Sequence, residues 1–195
     1  MEKLRIVIAD NESIIRMDLR EILEEAGHSV VAEATDGAKA VEMARRHQPD
    51  LVIMDIKMPE MDGIAAATII SQEKIAPVLL LTAFSQKEIV DKAKESGVLA
   101  YLVKPVKEVN LFPAIEIAIS RFREFNELEQ ELENIKGTLE TRKLLDRAKG
   151  ILMDAHGLNE SEAYRKMQQY SMAKRLSIKE VAQSIVAAAT KRNKR

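Results

Sequence analysis

Residues Leu51-Val-Ile-Met-Asp55-Ile-Lys-Met-Pro59 carry the clearest structural signal in this chain. Four apolar residues, two of them β-branched, run without alternation into a carboxylate, which predicts a strand buried on both faces and ending at Asp55. Ligands of open parallel sheets bind where the carboxyl ends of the strands meet the loops. Asp55 is therefore our first candidate for a reactive residue.

The same strand pattern recurs on both sides of this stretch. Further strands are predicted over residues 4–9, 30–34, 78–81 and 100–103, and helices over 14–26, 38–47, 64–72, 85–96 and from about residue 110. Five strands alternating with five helices predict an α/β fold, with a doubly wound parallel five-stranded sheet covered on both faces. A flavodoxin-like strand order is the simplest solution.

Polar residues fall at the predicted carboxyl ends of these strands. Asp10 and Asn11 follow the first strand, Asp55 ends the third, Thr82 ends the fourth and Lys104 follows the fifth. Clustered carboxylates repel unless a cation neutralises them, and hard oxygen ligands favour Mg²⁺. An aspartate can also be a nucleophile toward phosphorus, with the Lys104 ammonium and Thr82 hydroxyl stabilising the phosphoryl oxygens.

Composition narrows the class of protein. At 195 residues and 46% hydrophobic content, the chain has room for a medium domain and a small one. It has no cysteine, which excludes disulfides and thiolate chemistry, and it has no apolar run of membrane-spanning length. We expect a cytoplasmic protein with no membrane contact, and surface or capping positions for its three histidines, His28, His47 and His156.

Charge separates the two ends of the chain. Residues 1–121 hold 15 basic and 20 acidic residues, whereas residues 137–195 hold 13 basic and 6 acidic residues. The basic end predicts a surface for a polyanion, although charge does not distinguish RNA from DNA and also suits a solvated helix surface. The candidate phosphate contacts are Arg142, Lys143, Arg147, Lys149, Arg165, Lys166, Lys174 and Arg175. We expect Tyr164 and Tyr170 to belong to the core.

A short heptad pattern links the two ends. Apolar residues alternate steps of three and four at Phe125, Leu128, Leu132, Ile135 and Leu139, with glutamates between them. The pattern predicts a helical linker over residues 122–137 that is either a dimeric coiled coil or a solitary amphipathic helix. We expect a homodimer.

Three further helices are predicted beyond Gly137. The first covers residues 138–155, and the second and third begin at capping boxes formed by Asn159 with Glu162 and Ser177 with Glu180. Residues 138–190 are thus expected to form an all-α three-helix domain, and residues 191–195 a basic tail.

Residues 1–121 resemble the receiver domain of two-component response regulators. The resemblance rests on Asp10, the motif MDIKMPEMDG around Asp55, Leu81-Thr82-Ala83, and Tyr101-Leu-Val-Lys104-Pro105. It implies that Asp55 accepts a phosphoryl group from a sensor histidine kinase, that Lys104 contacts this group, and that Thr82 and Tyr101 form a switch pair. It also implies a cis peptide bond before Pro105.

The resemblance further implies a Mg²⁺ site formed by Asp10, Asp55, the Lys57 carbonyl and the residue at position 11. Receivers usually carry a second acid at that position, where this chain has Asn11. An amide oxygen can ligate Mg²⁺ but brings no charge. We therefore expect weak metal affinity. Phosphorylation should then be slow, or the domain should be partly active without being phosphorylated.

Residues 138–190 resemble the ANTAR domain of transcription antiterminators. The matching motifs are Arg147-Ala-Lys-Gly-Ile-Leu-Met153, Glu162-Ala-Tyr164, Ser171-Met172 and Val181-Ala182, with Ser171 where alanine is usual. The resemblance implies binding of RNA stem-loops that prevents formation of a terminator.

We therefore expect a phosphorylation-controlled regulator rather than an enzyme, whose RNA contacts include Arg142, Lys143, Arg147, Lys149, Lys166, Lys174 and Arg175. The alternative is a response regulator that binds duplex DNA through a helix-turn-helix-like tail. A phosphatase site and a pure interaction scaffold are more distant alternatives.

Overall fold

The computed structural model describes residues 3–83 and 100–192, so the helix expected over 85–96 lies outside the described residues. The chain divides into two compact units, Met1–Asn126 and Glu127–Arg195. The strands are β1 (Arg5–Ala9), β2 (Ser29–Ala34), β3 (Leu51–Asp55), β4 (Val78–Thr82) and β5 (Ala100–Val103). The helices are α1 (Ser13–Glu25), α2 (Gly37–His47), α3 (Gly63–Gln72), α4 (Glu108–His156), α5 (Glu160–Lys174) and α6 (Ile178–Arg192).

The first unit is built on one parallel sheet with the strand order β2-β1-β3-β4-β5. This order confirms the doubly wound, flavodoxin-like prediction. Every residue of β3 is buried, as its unbroken apolar sequence requires. Because β3 lies at the centre of the sheet, Asp55 reaches solvent only at the edge where the strands end.

Alternation along the strands divides the core of the first unit into two layers. Val52 and Met54 of β3 pack with α2 and α3 on one face, whereas Leu51 and Ile53 pack with α1 and the first turns of α4 on the other. Both predicted faces are therefore covered. This double cover holds the ends of β1, β3 and β4 rigidly, which suits a site built from strand-end side chains.

Two helix caps and one glycine fix the loops near the carboxyl ends of the strands. Asp36 accepts a hydrogen bond from the Lys39 amide (2.8 Å) and Asp62 from the Ala65 amide (2.7 Å), so each caps its helix. At Gly63 a Cβ atom would collide with the carbonyl oxygen of Asp55. Glycine is required there because α3 begins directly against the end of β3.

The helix α4 is longer than the sequence predicted. It runs from Glu108 to His156 without a break at Gly137, where we expected one helix to end and another to begin. A Cβ atom at Gly137 would have no atom within 4 Å, so no contact demands glycine there. A glycine inside a helix lowers the stability of the helix by only about 1 kcal/mol relative to alanine. The helical residues on either side of Gly137 outweigh this loss.

The second unit has a small core. Ala148 of α4, Met167 of α5, and Val181 and Ala182 of α6 are its buried residues, with half-buried aliphatic side chains around them. Both predicted capping boxes are present: Asn159 and Glu162 exchange hydrogen bonds, as do Ser177 and Glu180. The three-helix prediction is confirmed.

The expectation that Tyr164 and Tyr170 belong to the core is wrong. Tyr164 is 39% exposed and Tyr170 is 51% exposed. Ala163 and Met167 alone fill the buried stripe of α5. The rings lie outside that stripe because the contact between the helices is too narrow to cover them.

The surface position expected for His28 is also wrong, because its side chain is buried beside Phe112. Its Nδ1 accepts a hydrogen bond from the Leu4 amide at 3.3 Å. Its Nε2 has no hydrogen-bond partner among the described residues.

None of the helices in the described ranges is long and apolar enough to cross a membrane.

Candidate functional site

The carboxyl edge of the sheet holds a half-buried lysine between two carboxylates. The Nζ atom of Lys104 lies 2.7 Å from Oδ2 of Asp10 and 2.8 Å from Oδ1 of Asp55. Asp10 is fully buried and Asp55 is 6% exposed. Lys104 follows β5, two strands away from β3, so only a long side chain can reach both carboxylates across the end of β4.

Backbone hydrogen bonds fix the orientation of these side chains. The Lys57 amide donates to Oδ2 of Asp55 at 2.9 Å, and the Glu12 amide donates to Oδ1 of Asp10 at 2.9 Å. The Lys104 amide donates to the Thr82 carbonyl at 2.7 Å, and the expected cis peptide bond before Pro105 is present. Each carboxylate therefore keeps one oxygen on a fixed donor and turns the other toward Lys104.

The electrostatics of the site follow from burial and pairing. Burial raises the pKa of Asp55 above its ordinary value and the negative charge of Asp10 adds to this, while the Lys104 ion pair opposes both. Burial lowers the pKa of Lys104, but hydrogen bonds and charge from Asp10 and Asp55 outweigh it and raise that pKa overall. The ammonium therefore stays charged and favours the ionised form of Asp55.

A cavity of about 250 Å³ opens beside Asp55. The residues that line it are Asn11, Glu12, Asp55, Ile56, Lys57, Thr82, Ala83 and Lys104. The structure thus brings the predicted strand-end residues together. Glu12 was missed by the sequence analysis, and its position next to Asn11 was the only available signal.

Tyr101 stands apart from this cavity. It lies on β5, paired in register with Leu80, and its side chain is 44% exposed. Thr82 is buried at the end of β4. The two residues proposed as a switch pair therefore occupy neighbouring strands, with one side chain at the cavity and the other at the surface.

The donor atoms fit a hard divalent cation only in part. Asp10 and Asp55 place two carboxylates beside Lys104, and Asn11 and Lys57 line the adjoining cavity. Carboxylate, amide and carbonyl oxygens of such residues are the ligands that Mg²⁺ prefers. Within residues 3–83 and 100–192, no group of three or more His, Cys, Asp or Glu side chains could hold a metal. Asn11 contributes a neutral amide to the cavity lining, so it adds no negative charge to that of the two carboxylates.

The basic residues of the second unit differ in their availability. Six of the seven predicted RNA contacts have exposed side chains: Arg142, Lys143, Arg147, Lys166, Lys174 and Arg175. Lys149 is 16% exposed, with its Nζ atom 2.8 Å from Asp146 and 2.6 Å from Glu160. These two carboxylates neutralise Lys149 and tie α4 to the start of α5.

Comparison with known proteins assigns both units. A family model described as the response regulator receiver domain matches residues 6–116, and the ANTAR domain model matches residues 133–186. The transcriptional regulatory protein PdtaR of Mycobacterium tuberculosis H37Rv is 50% identical over 182 residues, which cover 93% of this chain and 89% of PdtaR.

Solved structures resemble the first unit. The signal receiver domain of the response regulator NarL from M. tuberculosis has 30% identity and a TM-score of 0.57, covering 63% of this chain and 98% of that domain. A CheX-CheY-BeF3-Mg²⁺ complex from Borrelia burgdorferi has 27% identity and a TM-score of 0.54, covering 57% and 85%. With the cluster of Asp10, Lys104 and Asp55 at the edge of the sheet, these matches show that the chain belongs to the response regulators, as a transcriptional regulator with a receiver domain followed by an ANTAR domain.

Proposed function

We propose that this protein is a phosphorylation-controlled RNA-binding regulator that acts in the cytoplasm as a transcription antiterminator. The observation that carries the proposal is the Lys104 ammonium held between Asp10 and Asp55 at the mouth of a cavity. That arrangement places a nucleophilic carboxylate beside a fixed positive charge. It occurs in a chain whose other unit is basic and helical.

The chemistry follows from the site. An Asp55 oxygen attacks the phosphorus of a phosphohistidine on a sensor histidine kinase, and the phosphorus–nitrogen bond of the donor breaks as the aspartyl phosphate forms. Lys104 then neutralises part of the phosphoryl charge. Asp10, Asn11, Asp55 and the Lys57 carbonyl would hold Mg²⁺, which would supply further neutralisation of the phosphoryl charge when bound. The Mg²⁺–CheY complex of B. burgdorferi supports this assignment by analogy.

Phosphorylation is proposed to change the surface beyond the cavity. The Thr82 hydroxyl moves to the new phosphoryl oxygens, and the exposed ring of Tyr101 turns into the space that Thr82 leaves. This couples a charge change at Asp55 to the outer surface of β4 and β5. The exposed position of Tyr101 supports the proposal, because the ring can become buried only if it starts at the surface.

Dimerisation is proposed to occur through the exposed apolar seam of α4. The side chains of Phe125, Leu128, Leu132, Ile135 and Leu139 are between 50% and 59% exposed. In a parallel two-stranded coil, the flanking Glu131 of one helix faces Lys136 of the other. Two ANTAR domains would then hold two hairpins, and linkage would raise the overall affinity.

RNA contact is proposed for the seven basic residues named above, with the smallest share for Lys149 because Asp146 and Glu160 neutralise it. Contacts to phosphates would give binding that weakens as salt rises. Bound hairpins would compete with formation of a terminator. PdtaR supports the regulatory role by its description as a transcriptional regulator.

The test combines RNA binding with molecular mass. The full chain is titrated with a two-hairpin RNA from its own transcripts, with and without a small phosphodonor and Mg²⁺, and its mass is followed by light scattering. We expect tighter binding and dimer formation after phosphorylation, and neither change in Asp55→Asn. Stronger binding of duplex DNA than of the hairpin RNA would overturn the RNA function.

The phosphorylation step needs its own control. Asp55→Asn keeps the size and polarity of the side chain but removes the nucleophile, so it should incorporate no label from the donor. Asp62→Asn provides a matched control, because Asp62 caps α3 and has no place in the cavity. Labelling of Asp55→Asn equal to the wild type would contradict the assignment of the acceptor.

A further inference from the structure

An open groove lies between α5 and α6 of the second unit. Its volume is about 590 Å³, within the range of pockets that bind small ligands. The floor is apolar, formed by Leu152, Met167, Val181 and Ile185. Small side chains, Ala173 on α5 and Ala188 on α6, form part of the walls and leave the groove unfilled.

The rim of the groove is aromatic and polar. Tyr170, Lys166 and Gln169 line it from α5, and Ser184 lines it from α6. Tyr170 is 51% exposed and offers a large flat face above the apolar floor. No acidic residue lines the groove, Lys166 lines it, and Arg165 and Lys174 of the same helix are exposed basic residues next to lining positions.

This combination favours an occupant that is flat, apolar on its faces, polar at its edges and attached to negative charge. An unpaired nucleobase in an RNA loop has all four properties, because its faces stack on aromatic rings and its edges hydrogen-bond. A protein helix would match the apolar floor but not the basic surroundings. Charge complementarity therefore selects the nucleic acid.

We propose that the groove between α5 and α6 receives an unpaired base from the loop of an RNA hairpin. Tyr170 stacks on the base, Gln169 and Ser184 hydrogen-bond to its edge, and Lys166 binds a flanking phosphate. This inference rests on the proposed RNA function and goes beyond it. The basic residues then supply affinity for any hairpin, and the groove distinguishes loops.

The test uses the full chain and a library of RNA hairpins with one fixed stem and a randomised loop. The wild type is expected to enrich particular loops and to bind them more tightly than the same stem as a duplex without a loop. Tyr170→Leu should weaken binding of an enriched hairpin by roughly 10- to 100-fold, the loss expected for one base–aromatic stack. Tyr170→Phe keeps the ring and should bind within about threefold of the wild type.

A second pair of variants tests the groove without changing the tyrosine. Ala188→Leu fills the groove and should weaken binding of the enriched hairpin by at least tenfold. Ala187→Leu makes the same change at the neighbouring exposed position, which does not line the groove, and should leave binding unchanged. Circular dichroism establishes that each variant keeps its helices.

The outcomes separate the two proposals. Failure of the wild type to bind any hairpin would overturn the RNA function and the groove inference together. If the wild type bound hairpins and both Tyr170→Leu and Ala188→Leu bound them with the same affinity, only the groove inference would be overturned. If both variants instead changed only the molecular mass, the groove would be a contact between copies of the chain, and the inference would again be wrong.

Discussion

The two units of this protein use apolar and charged residues in opposite ways. In the receiver, the apolar side chains form two layers around the sheet. The key charges lie at the edge of the sheet, where Asp10 and Asp55 are buried and Lys104 is half-buried. In the second unit only a small core is buried, while an apolar seam and two tyrosines are exposed. Its basic side chains lie mostly on the surface.

This difference suits the first unit to a chemical site and the second unit to contact with another macromolecule. A reactive carboxylate needs a fixed neighbouring charge and little water, which only a closed, well-packed unit can provide. A surface that binds another macromolecule needs apolar and charged groups that are still uncovered. The receiver is stabilised by its own interior, whereas the second unit leaves apolar and basic groups uncovered, as the proposed RNA and dimer contacts require.

The largest effect should come from removing the positive charge of Lys104 at the carboxyl edge of the receiver sheet. Lys104→Met leaves Asp10 and Asp55 buried without their cation, so the free energy of unfolding of the receiver should fall by about 3–5 kcal/mol. Native-state hydrogen exchange of the β1 and β3 amides measures this loss. Adding Asp10→Asn to Lys104→Met should recover part of it, and a loss below about 1 kcal/mol would contradict the buried-charge description.

The apolar residues of the two units should respond differently to the same truncation. Ile53→Ala in the receiver core should cost about 2–5 kcal/mol, because it leaves a cavity between packed layers. Leu132→Ala in the exposed seam should change the stability of the monomer by less than about 0.5 kcal/mol but weaken the dimer. Denaturant titration measures the change in unfolding free energy for both variants. Light scattering measures how far Leu132→Ala weakens the dimer.

A charge exchange sharpens the test of the seam. Lys136→Glu should weaken a parallel dimer by placing like charges opposite each other, and the double variant Lys136→Glu with Glu131→Lys should restore it. If the double variant dimerised no better than Lys136→Glu, the parallel register would be wrong.

Restoring an acid in the receiver cavity should have a smaller effect on metal binding. Asn11→Asp adds a negative charge to the proposed Mg²⁺ ligands, so the dissociation constant for Mg²⁺ should fall about tenfold, or about 1.4 kcal/mol. Calorimetric titration measures this change, and Asn11→Ala should weaken binding. Equal affinity in all three proteins would remove position 11 from the metal site.

The smallest effect should appear as a pH dependence of receiver stability. Burial lowers the pKa of His28 below its ordinary value of 6.5, so the unfolded chain takes up the proton first as the pH falls. The stability contributed by neutral His28 is complete above about pH 6.5 and is lost as the pH falls through that value toward the lower folded pKa. Protonation would also abolish the bond that Nδ1 accepts from Leu4.

Thermal unfolding between pH 7.5 and 5.5 measures this dependence, with the range chosen to bracket the roughly 6.5 pKa of free histidine. His28→Gln keeps a hydrogen-bond acceptor but does not titrate, so its melting temperature should fall less on acidification than that of the wild type. His47→Gln provides the matched control, because His47 is half-buried at the end of α2. Parallel curves for the wild type and His28→Gln would exclude His28 as the source.

Much of the receiver followed from short-range sequence signals. The unbroken apolar run before Asp55 and the polar strand ends led directly to the observed sheet and to the cavity beside Asp55. The prediction worked because parallel strands and their connections leave few possible orders, and every strand end lies at the same edge. The helix break expected at Gly137 failed because a single glycine is a weak signal inside a long helix.

The sequence by itself determined which residues could react, since the order of strands and the residue type at each strand end were sufficient to bring Asp10, Asp55 and Lys104 together. Only the tertiary structure decided which side chains are available. It paired Lys149 of α4 with Glu160 of α5, exposed Tyr170 beside an open groove, and buried His28. Availability depends on what packs against a residue from distant parts of the chain, and the local pattern does not contain that information.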